Sequence, residues 1–299
     1  MKIAITGAAG FIGRHLTLAL KGGHEVLALT RQAIHCTDPA LSCIRTDYSL
    51  EELRQLLQGC SAVIHLSAQR TYAGENANLL ENGQLDYRLL QAAEDCGVNH
   101  VVQASTRGVY GTAPVPWLET TPPEPNSLYA LAKLHAEATA GFFVRRGLCI
   151  STLRIAQVFG LGEYQSNVVT TFIRNAYHGK PITLSVKGIR REYIYIRDLI
   201  RAIERVLLQP VSGIYNLGSG EVVSLEDMAQ AIYHAFGRQD GIIKKKGRKD
   251  VNEYSLMDSS RFRECFSWSP EWSFASAAND IARMLEDNDT AKYYGISAS

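Results

Sequence analysis

The sequence predicts an α/β fold, in which a doubly wound parallel sheet is joined to a smaller, mixed C-terminal lobe. Short runs rich in β-branched residues alternate with longer helical patterns through the first half of the chain, as in right-handed βαβ units. The first strand-like run leads directly into a glycine-rich turn that opens a helix. A length of 299 residues leaves room for a second, smaller unit.

The elements of the first half follow one another in a regular order. Apolar, β-branched runs predict strands over residues 2–6, 25–30, 42–46, 61–67, 100–105 and 149–155. Between them, apolar residues at helical spacing predict helices over residues 11–21, 50–57, 79–96 and 128–145. Each predicted helix can thus carry the chain back, so that the next strand runs parallel to the previous one in the same sheet.

The pattern becomes mixed after Arg154. We predict helices over residues 168–177, 197–208 and 225–236, strands over 182–186 and 191–196, and a strand near Tyr215 that returns to the main sheet. The predicted domains are therefore interleaved. Residues 1–165, with return segments near 190–220, form a dinucleotide-binding domain, and residues 166–299 form the smaller lobe.

Composition and charge exclude several classes of protein. The chain is 46% hydrophobic and 20% charged, which is typical of a globular protein with a large core. Its formal net charge of +1 provides no overall field for nucleic acid or an anionic membrane. We therefore expect neither as a partner, and interpret the run Lys244 to Lys246 as a solvated charged face.

The chain is expected to be cytoplasmic. No apolar stretch reaches the roughly 18–20 residues that span a bilayer, and the strand that begins at Lys2 leaves no room for a signal peptide. The six cysteines form no CxxC pair and have no histidine at ligand spacing. They are expected to be free, mostly buried thiols, and no metal site is predicted.

The glycine turn after the first strand predicts dinucleotide binding. Gly7 allows a tight turn, Gly10 lets the backbone approach a pyrophosphate, and Gly13 lets the helix pack closely on the strand. Phe11 and Ile12 open that helix, whose free N–H groups and positive dipole end attract phosphates.

A tyrosine and a lysine supply candidate redox chemistry. Tyr129 and Lys133 are four residues apart on a predicted helix, so their side chains lie on one face. An adjacent ammonium stabilises the phenolate and lowers the pKa of the phenol towards neutrality. Tyr129 can then exchange a proton with a substrate hydroxyl or carbonyl.

These segments, with VIHLSAQ at residues 63–69 and GIYNLGSGEVVSLEDMAQAI at residues 213–232, resemble the extended branch of the short-chain dehydrogenase/reductase superfamily. The similarity spans about the first 275 residues, and its GxxGxxG spacing is typical of this nucleotide-sugar-modifying epimerase/dehydratase family. The resemblance implies a Rossmann sheet and a homodimer formed through a pair of helices. It also implies that Thr106 polarises the reacting oxygen, with Ser105 in support.

The same resemblance assigns the remaining site residues. Besides the glycine turn, Tyr129 and Lys133, cofactor contacts are expected from Arg31, Asp47, Tyr48, Leu66, Ser67, Ala68, Asn82, Ser105 and Ile155. Contacts to a nucleotide diphosphate sugar are expected from Gln69, Arg107, Gln157, Asn167, Val168, Arg191 and Arg248. His65 is interpreted as a structural histidine on a buried strand.

Two departures from the family pattern narrow the function. The family's 4,6-dehydratases carry an acidic pair directly after the catalytic threonine, where this chain has Arg107 and Gly108. Dehydratase chemistry is therefore disfavoured. At the end of the second strand an NAD-preferring member has an aspartate, whereas this chain has Thr30 and Arg31. A guanidinium suits a 2′-phosphate, which favours NADP(H) over the alternative, NAD(H).

The leading hypothesis from the sequence is an NADPH-dependent reductase of a nucleotide-linked 4-keto-6-deoxy sugar. The alternative is an NAD-dependent nucleotide-sugar 4-epimerase that uses Thr106, Tyr129 and Lys133 in the same roles. A non-catalytic dinucleotide-binding scaffold is a third hypothesis. It is disfavoured because binding alone does not need a phenol with a lowered pKa. The nucleotide base and the sugar are left open.

Overall fold

The computed structural model describes residues 1–31, 41–68, 75–163, 167–294 and 296, without the side chains of residues 75–78 and 248. The strands are β1 (Lys2–Thr6), β2 (Glu25–Thr30), β3 (Leu41–Arg45), β4 (Ala62–His65), β5 (His100–Thr106), β6 (Ile150–Ile155), β7 (Gln157–Phe159), β8 (Ile182–Tyr195), β9 (Gly213–Leu217), β10 (Val222–Ser224) and β11 (Ile242–Ser255). The helices are α1 (Phe11–Leu20), α2 (Leu50–Leu56), α3 (Glu75–Asp95), α4 (Leu128–Arg145), α5 (Val168–Tyr177), α6 (Ile196–Leu208), α7 (Leu225–Ala235), α8 (Ser260–Phe266), α9 (Phe274–Met284) and α10 (Asn288–Tyr293). A 3-10 turn covers Arg107–Tyr110.

The described residues fall into two compact units. The first contains residues 1–155, 200–217 and 260–268, and the second contains residues 156–199, 218–259 and 269–299. The chain passes from the first unit to the second after Ile155. The boundary predicted from the sequence was residue 165. The chain returns for residues 200–217, within the return segment suggested near residues 190–220.

The first unit is built on a parallel sheet with the strand order β3-β2-β1-β4-β5-β6-β9. The order reverses direction at β1, which is the topology of a doubly wound sheet with a crevice at the carboxyl ends of its strands. The predicted α/β fold class is confirmed. The strand near Tyr215 does return to this sheet, where Leu153 pairs with Tyr215.

One face of this sheet carries a core formed with α2, α3 and α4. Leu53, Leu89, Leu90, Val101 and Phe143 are fully buried in it. Burying each such side chain contributes about 1.5–3 kcal/mol. This core fixes α3 and α4 against the strands whose ends carry the candidate site.

The second unit contains a mixed sheet in which β8 pairs with β7, β10 and β11. The two strands predicted over residues 182–186 and 191–196 form one continuous strand, β8. Gly188, with φ of +81°, lies within the strand, where the pairing register with β11 shifts between Lys187 and Ile189. The run Lys244 to Lys246 lies in β11 with its side chains exposed, as expected for a solvated charged face.

The cysteine prediction needs a correction. Cys43 is disulfide-bonded, while Cys60, Cys96, Cys149 and Cys265 are free, and of these only Cys60 is buried. Pairing depends on Cα atoms coming within about 7 Å in the folded chain, which sequence spacing alone does not reveal. Among the described residues, no helix is long and apolar enough to cross a membrane.

Candidate functional site

At the carboxyl end of β1, the backbone of the glycine turn lies close to the backbone of Leu66 and Ser67, which follow β4. Gly7 has φ of +69°, and a Cβ there would lie 2.9 Å from the backbone nitrogen of Ser67. The Gly10 N–H donates to the Gly7 carbonyl at 2.9 Å, and Gly10 then caps α1. Only glycine fits Gly7 without strain, so the turn keeps its backbone open to a ligand at the helix N-terminus.

Tyr48 braces this turn from the neighbouring β2–β3 edge. Its hydroxyl accepts the Gly7 N–H at 3.3 Å and the Ser67 hydroxyl at 3.2 Å, and donates to the Leu29 carbonyl at 2.9 Å. Burial raises the pKa of the Tyr48 phenol, so it remains a neutral donor. Tyr48 was predicted as a cofactor contact, and the structure gives it this bracing role in the turn itself.

A cavity of about 750 Å³ opens at the carboxyl ends of β2 and β3. The predicted cofactor residues Arg31 and Asp47 line it together with Arg45 and Arg88, two arginines that the sequence reasoning missed. Arg88 lies on α3, so no local motif connects it to Arg31. Hydrogen bonds from Ser49 hold the pKa of the Asp47 carboxyl below its usual range.

The predicted catalytic pair lies on the first turns of α4. Ser127 caps this helix by accepting the Ala130 N–H at 3.2 Å. Lys133 is buried, and its Nζ donates to the Ala104 carbonyl of β5 at 2.8 Å. A small cavity is lined by Ser67, Ala68, Asn82, Asp86, Tyr129, Ala132 and Lys133. The structure therefore brings together the predicted residues Ser67, Ala68 and Asn82 with Tyr129 and Lys133.

Thr106 ends β5 and caps the 3-10 turn that follows. Its Oγ1 accepts the Gly108 N–H at 3.2 Å. A Cβ on Gly108 would lie 3.5 Å from both Thr106 Oγ1 and the Ala130 Cβ on α4. The turn that carries Arg107 thus packs between Thr106 and the first turn of α4, next to Tyr129.

A buried polar network lies behind this turn. Ser105 donates to Glu137 of α4 at 2.5 Å, and Glu137 accepts hydrogen bonds from Arg154 of β6 at 2.7 and 3.0 Å. Burial opposes the charge of Arg154, but the Glu137 carboxylate outweighs it and raises the pKa of the guanidinium. Arg154 also donates to Tyr110, whose hydroxyl donates to Asn216 at 2.6 Å. Sequence reasoning assigned Ser105 to support and missed its partners, which are distant in the chain.

The other predicted cofactor contacts also lie at strand ends or helix starts. Leu66 follows β4, Ile155 ends β6, and Phe11 and Ile12 begin α1. Ile155 is buried, whereas the other three are half-buried. Their contacts with a cofactor remain predictions.

Asn167, Val168 and Arg191, predicted to contact the substrate, belong to the second unit. Asn167 caps α5 by accepting the Val168 N–H at 2.9 Å and donates to Glu163. Arg191 of β8 forms a two-point ion pair with Glu253 of β11, at 2.5 and 2.7 Å. The guanidinium of Arg191 therefore already binds a carboxylate.

Three further residues were predicted to contact the substrate. Gln157 begins β7. Gln69 and the side chain of Arg248 lie outside the described residues. The substrate roles of all these residues remain predictions.

Comparison with known proteins places this geometry in context. A dTDP-glucose 4,6-dehydratase of Streptomyces niveus is 26% identical over 314 residues, covering 96% of this chain and 94% of that protein. A solved UDP-N-acetylglucosamine 4-epimerase from Bacillus cereus has a TM-score of 0.87 and 32% identity, covering 96% of each chain. The structure of MoeE5 in complex with UDP-glucose and NAD has a TM-score of 0.83 and 27% identity, covering 96% of this chain and 99% of that one.

The family model for the NAD dependent epimerase/dehydratase family matches residues 3–218 of this chain. This match covers the glycine turn, Thr106, Tyr129 and Lys133, and it confirms the resemblance inferred from those residues. The chain belongs to the NAD dependent epimerase/dehydratase family and is an enzyme of the extended short-chain dehydrogenase/reductase type.

Proposed function

We propose that this enzyme interconverts a hydroxyl and a keto group at C4 of a nucleotide-diphosphate-linked sugar, and that it acts as a 4-epimerase. The observation that carries the proposal is the placement of Tyr129 and Lys133 on α4 beside the strand end that bears Thr106. Likeness to a solved UDP-N-acetylglucosamine 4-epimerase supports this outcome.

The glycine turn fits a nicotinamide dinucleotide. A Cβ at Gly7 would approach the Ser67 backbone nitrogen at 2.9 Å, so this position of the turn has no room for a side chain. Such a turn lets a pyrophosphate reach the N–H groups of the helix start. When bound, the nicotinamide ring accepts and returns the hydride that the chemistry requires.

The side chains of the first unit perform the proton chemistry. Tyr129 removes the proton of the C4 hydroxyl and later returns it to the C4 oxygen. Lys133, held by the Ala104 carbonyl, stabilises the phenolate through its positive charge. Thr106, whose Oγ1 already accepts the Gly108 N–H, directs its hydroxyl proton to the reacting oxygen.

Water elimination is disfavoured by the residues that follow Thr106. Loss of water from C5 and C6 requires an acid and a base, and the positions concerned carry Arg107 and Gly108. A guanidinium has no acidic proton near neutral pH, and glycine has no side chain. The similarity to dehydratases therefore supports the fold and the C4 redox step, without the elimination.

An NADPH-dependent C4 reductase is the second candidate, favoured by one specific observation. Arg31, Arg45 and Arg88 line the same cavity as Tyr48, whose hydroxyl accepts the Gly7 N–H. Guanidinium groups suit the 2′-phosphate of NADP(H). A reductase consumes external NADPH, whereas an epimerase retains its cofactor through both half-reactions.

One experiment separates these candidates. The purified enzyme is incubated with UDP-glucose or UDP-N-acetylglucosamine without added cofactor, and separately with a dTDP-4-keto-6-deoxy sugar and NADPH or NADH. Formation of the C4 epimer without cofactor consumption supports the epimerase. Stoichiometric oxidation of NADPH supports the reductase, and inactivity in both assays, with cofactor bound, supports the binding scaffold.

The arginine cavity has its own test. Arg45→Ala and Arg88→Ala should each weaken NADPH binding by about tenfold and leave NADH binding nearly unchanged, since one charged contact is worth roughly 1.5 kcal/mol. Arg283→Ala, at an exposed position of the second unit, serves as the control. Equal losses for both cofactors would argue against a 2′-phosphate at this cavity.

A homodimer is the assembly that we propose. Large apolar side chains on α3 and α4 are unusually exposed, namely Leu80 (71%), Tyr87 (49%), Phe142 (46%) and Leu131 (40%). Helices with such faces suit a symmetric four-helix contact. Sedimentation of the Tyr87→Glu and Phe142→Glu variants, expected to be monomeric, tests the assignment.

A further inference from the structure

A buried hydrogen-bonded chain connects β1, β4 and α3 behind the glycine turn. Thr6 Oγ1 lies 2.8 Å from His65 Nδ1, and His65 Nε2 lies 2.7 Å from Asp86 Oδ1. Thr6 and His65 are fully buried, and Asp86 is 4% exposed. The histidine interpreted from the sequence as structural is therefore one member of a polar relay.

Donor and acceptor counts fix the protons in this chain. Thr6 Oγ1 accepts the N–H groups of Leu66 and Ser67, each at 3.2 Å, so its one proton points to His65 Nδ1. The ring must then carry its own proton on Nε2 and donate it to Asp86. His65 thus donates to Asp86 and orients that carboxylate as an acceptor.

Asp86 presents this carboxylate to the catalytic pair. It lines the same small cavity as Tyr129 and Lys133. Its Oδ1 bonds to His65 Nε2, and Lys133 Nζ donates to the Ala104 carbonyl at 2.8 Å. A buried carboxylate is costly without a compensating charge, and the ammonium of Lys133 is the cation of that cavity.

We propose that Asp86, oriented by His65, is a positioning residue that partly neutralises Lys133 and so limits how strongly Lys133 acidifies Tyr129. The inference rests on the proton-transfer role of Tyr129 in the proposed function. A phenol that is too acidic returns its proton poorly to the C4 oxygen. Asp86 thereby keeps Tyr129 usable in both directions of the reaction.

The direction of the effect follows from the charges around Tyr129. In this cavity they are Lys133 from α4 and Asp86 from α3, and β4 contributes His65 through its contact with Asp86. Asp86→Asn preserves the shape and an oxygen acceptor for His65, but removes the negative charge. Removing a nearby negative charge favours the phenolate, so the pKa of the Tyr129 phenol should fall by about one unit.

Ultraviolet difference titration measures this directly, without substrate. The titration of the holoenzyme minus that of its Tyr129→Phe variant isolates the one phenol, and the same subtraction is made in the Asp86→Asn background. Glu94→Gln removes a carboxylate that pairs with Arg146 from the same helix, and its titration should match the parent. The midpoint should shift to lower pH in Asp86→Asn only.

An unchanged midpoint, or a shift to higher pH, would overturn the inference. Asp86→Ser removes the same charge and replaces Asp86→Asn if that variant does not fold. If the titration midpoint of Tyr129 in the parent lies below that of an ordinary tyrosine, and the Asp86 variants do not change this midpoint, the inference alone fails. If Tyr129 in the parent titrates as an ordinary tyrosine near pH 10, the proposed proton-transfer role fails instead.

Discussion

The hydroxyl of Ser105 donates a 2.5 Å hydrogen bond to the carboxylate of Glu137, which ties the end of β5 to the middle of α4. Lys133, one turn earlier on α4, holds the adjacent Ala104 carbonyl. Two consecutive residues of β5 are thus bound to two successive turns of α4. The position of Thr106, the next residue along β5, depends on both contacts.

Glu137→Gln should destabilise the enzyme markedly. Glu137 and Arg154 are 3% and 4% exposed, and removing one partner of a buried ion pair costs about 3–5 kcal/mol because it leaves an uncompensated charge. Chemical denaturation should show this loss of unfolding free energy. Glu94→Gln breaks the exposed pair with Arg146 and should cost far less, so equal losses would contradict the buried network.

Tyr129→Phe should abolish turnover while the variant still retains its cofactor. Removing the proton-transferring hydroxyl lowers kcat by roughly 10²–10⁴-fold for such a group, whereas the phenyl ring still packs in its place. The measurements are kcat and the amount of dinucleotide released on denaturation. Tyr254→Phe, at a 44% exposed position, is the matched control, and full activity of Tyr129→Phe would refute the mechanism.

Gly7→Ala should weaken both the fold and cofactor binding. The residue would adopt φ of +69° with its Cβ 2.9 Å from the Ser67 nitrogen, and a left-handed backbone alone costs about 1–2 kcal/mol for alanine. A Cβ at Gly22 would meet no heavy atom within 4 Å among the described residues, so Gly22→Ala should be neutral. Thermal unfolding and dinucleotide titration of the two variants give the comparison.

Stability should fall as the pH decreases from about 6.5 to about 4. Burial lowers the pKa of His100 from 6.5 to about 4. Its Nε2 bonds to Ser151 at 2.8 Å, and within the described residues its buried Nδ1 has no partner for a second proton. The unfolded chain therefore binds a proton in this window that the folded chain does not.

The His100→Gln variant isolates this contribution. Urea denaturation at several pH values should give a flatter dependence between pH 6.5 and 4 than for the parent. Identical slopes for the two proteins would show that His100 does not carry the effect. Above pH 6.5, His100 is neutral in both states, so the variant should differ from the parent by a constant amount.

The sequence was most informative where short-range rules decide the structure. Helix α4 was predicted over residues 128–145 and begins after Ser127, whose side chain caps it. The strand order follows from alternating elements and the handedness of their crossovers. The roles predicted for Gly7, Tyr129 and Lys133 rest on spacings of a few residues, which a sequence shows directly.

Long-range relationships were not accessible in the same way. Asp86 and His65 are 21 residues apart, and Ser105 and Glu137 are 32 apart, so no local pattern connects them. Strand β11 was missed because its exposed lysines hide the alternation of a strand.

Strand β9 has a consequence for the synthesis of the protein. It pairs with β6, a strand whose residues are all buried, yet it lies some sixty residues later in the chain. Until the ribosome has released Leu217, β6 presents an open, apolar edge of the kind that recruits other strands and aggregates. A truncated product ending at Ile155 would keep the glycine turn and α4, but would expose this edge and lack Asn216 as the acceptor for Tyr110.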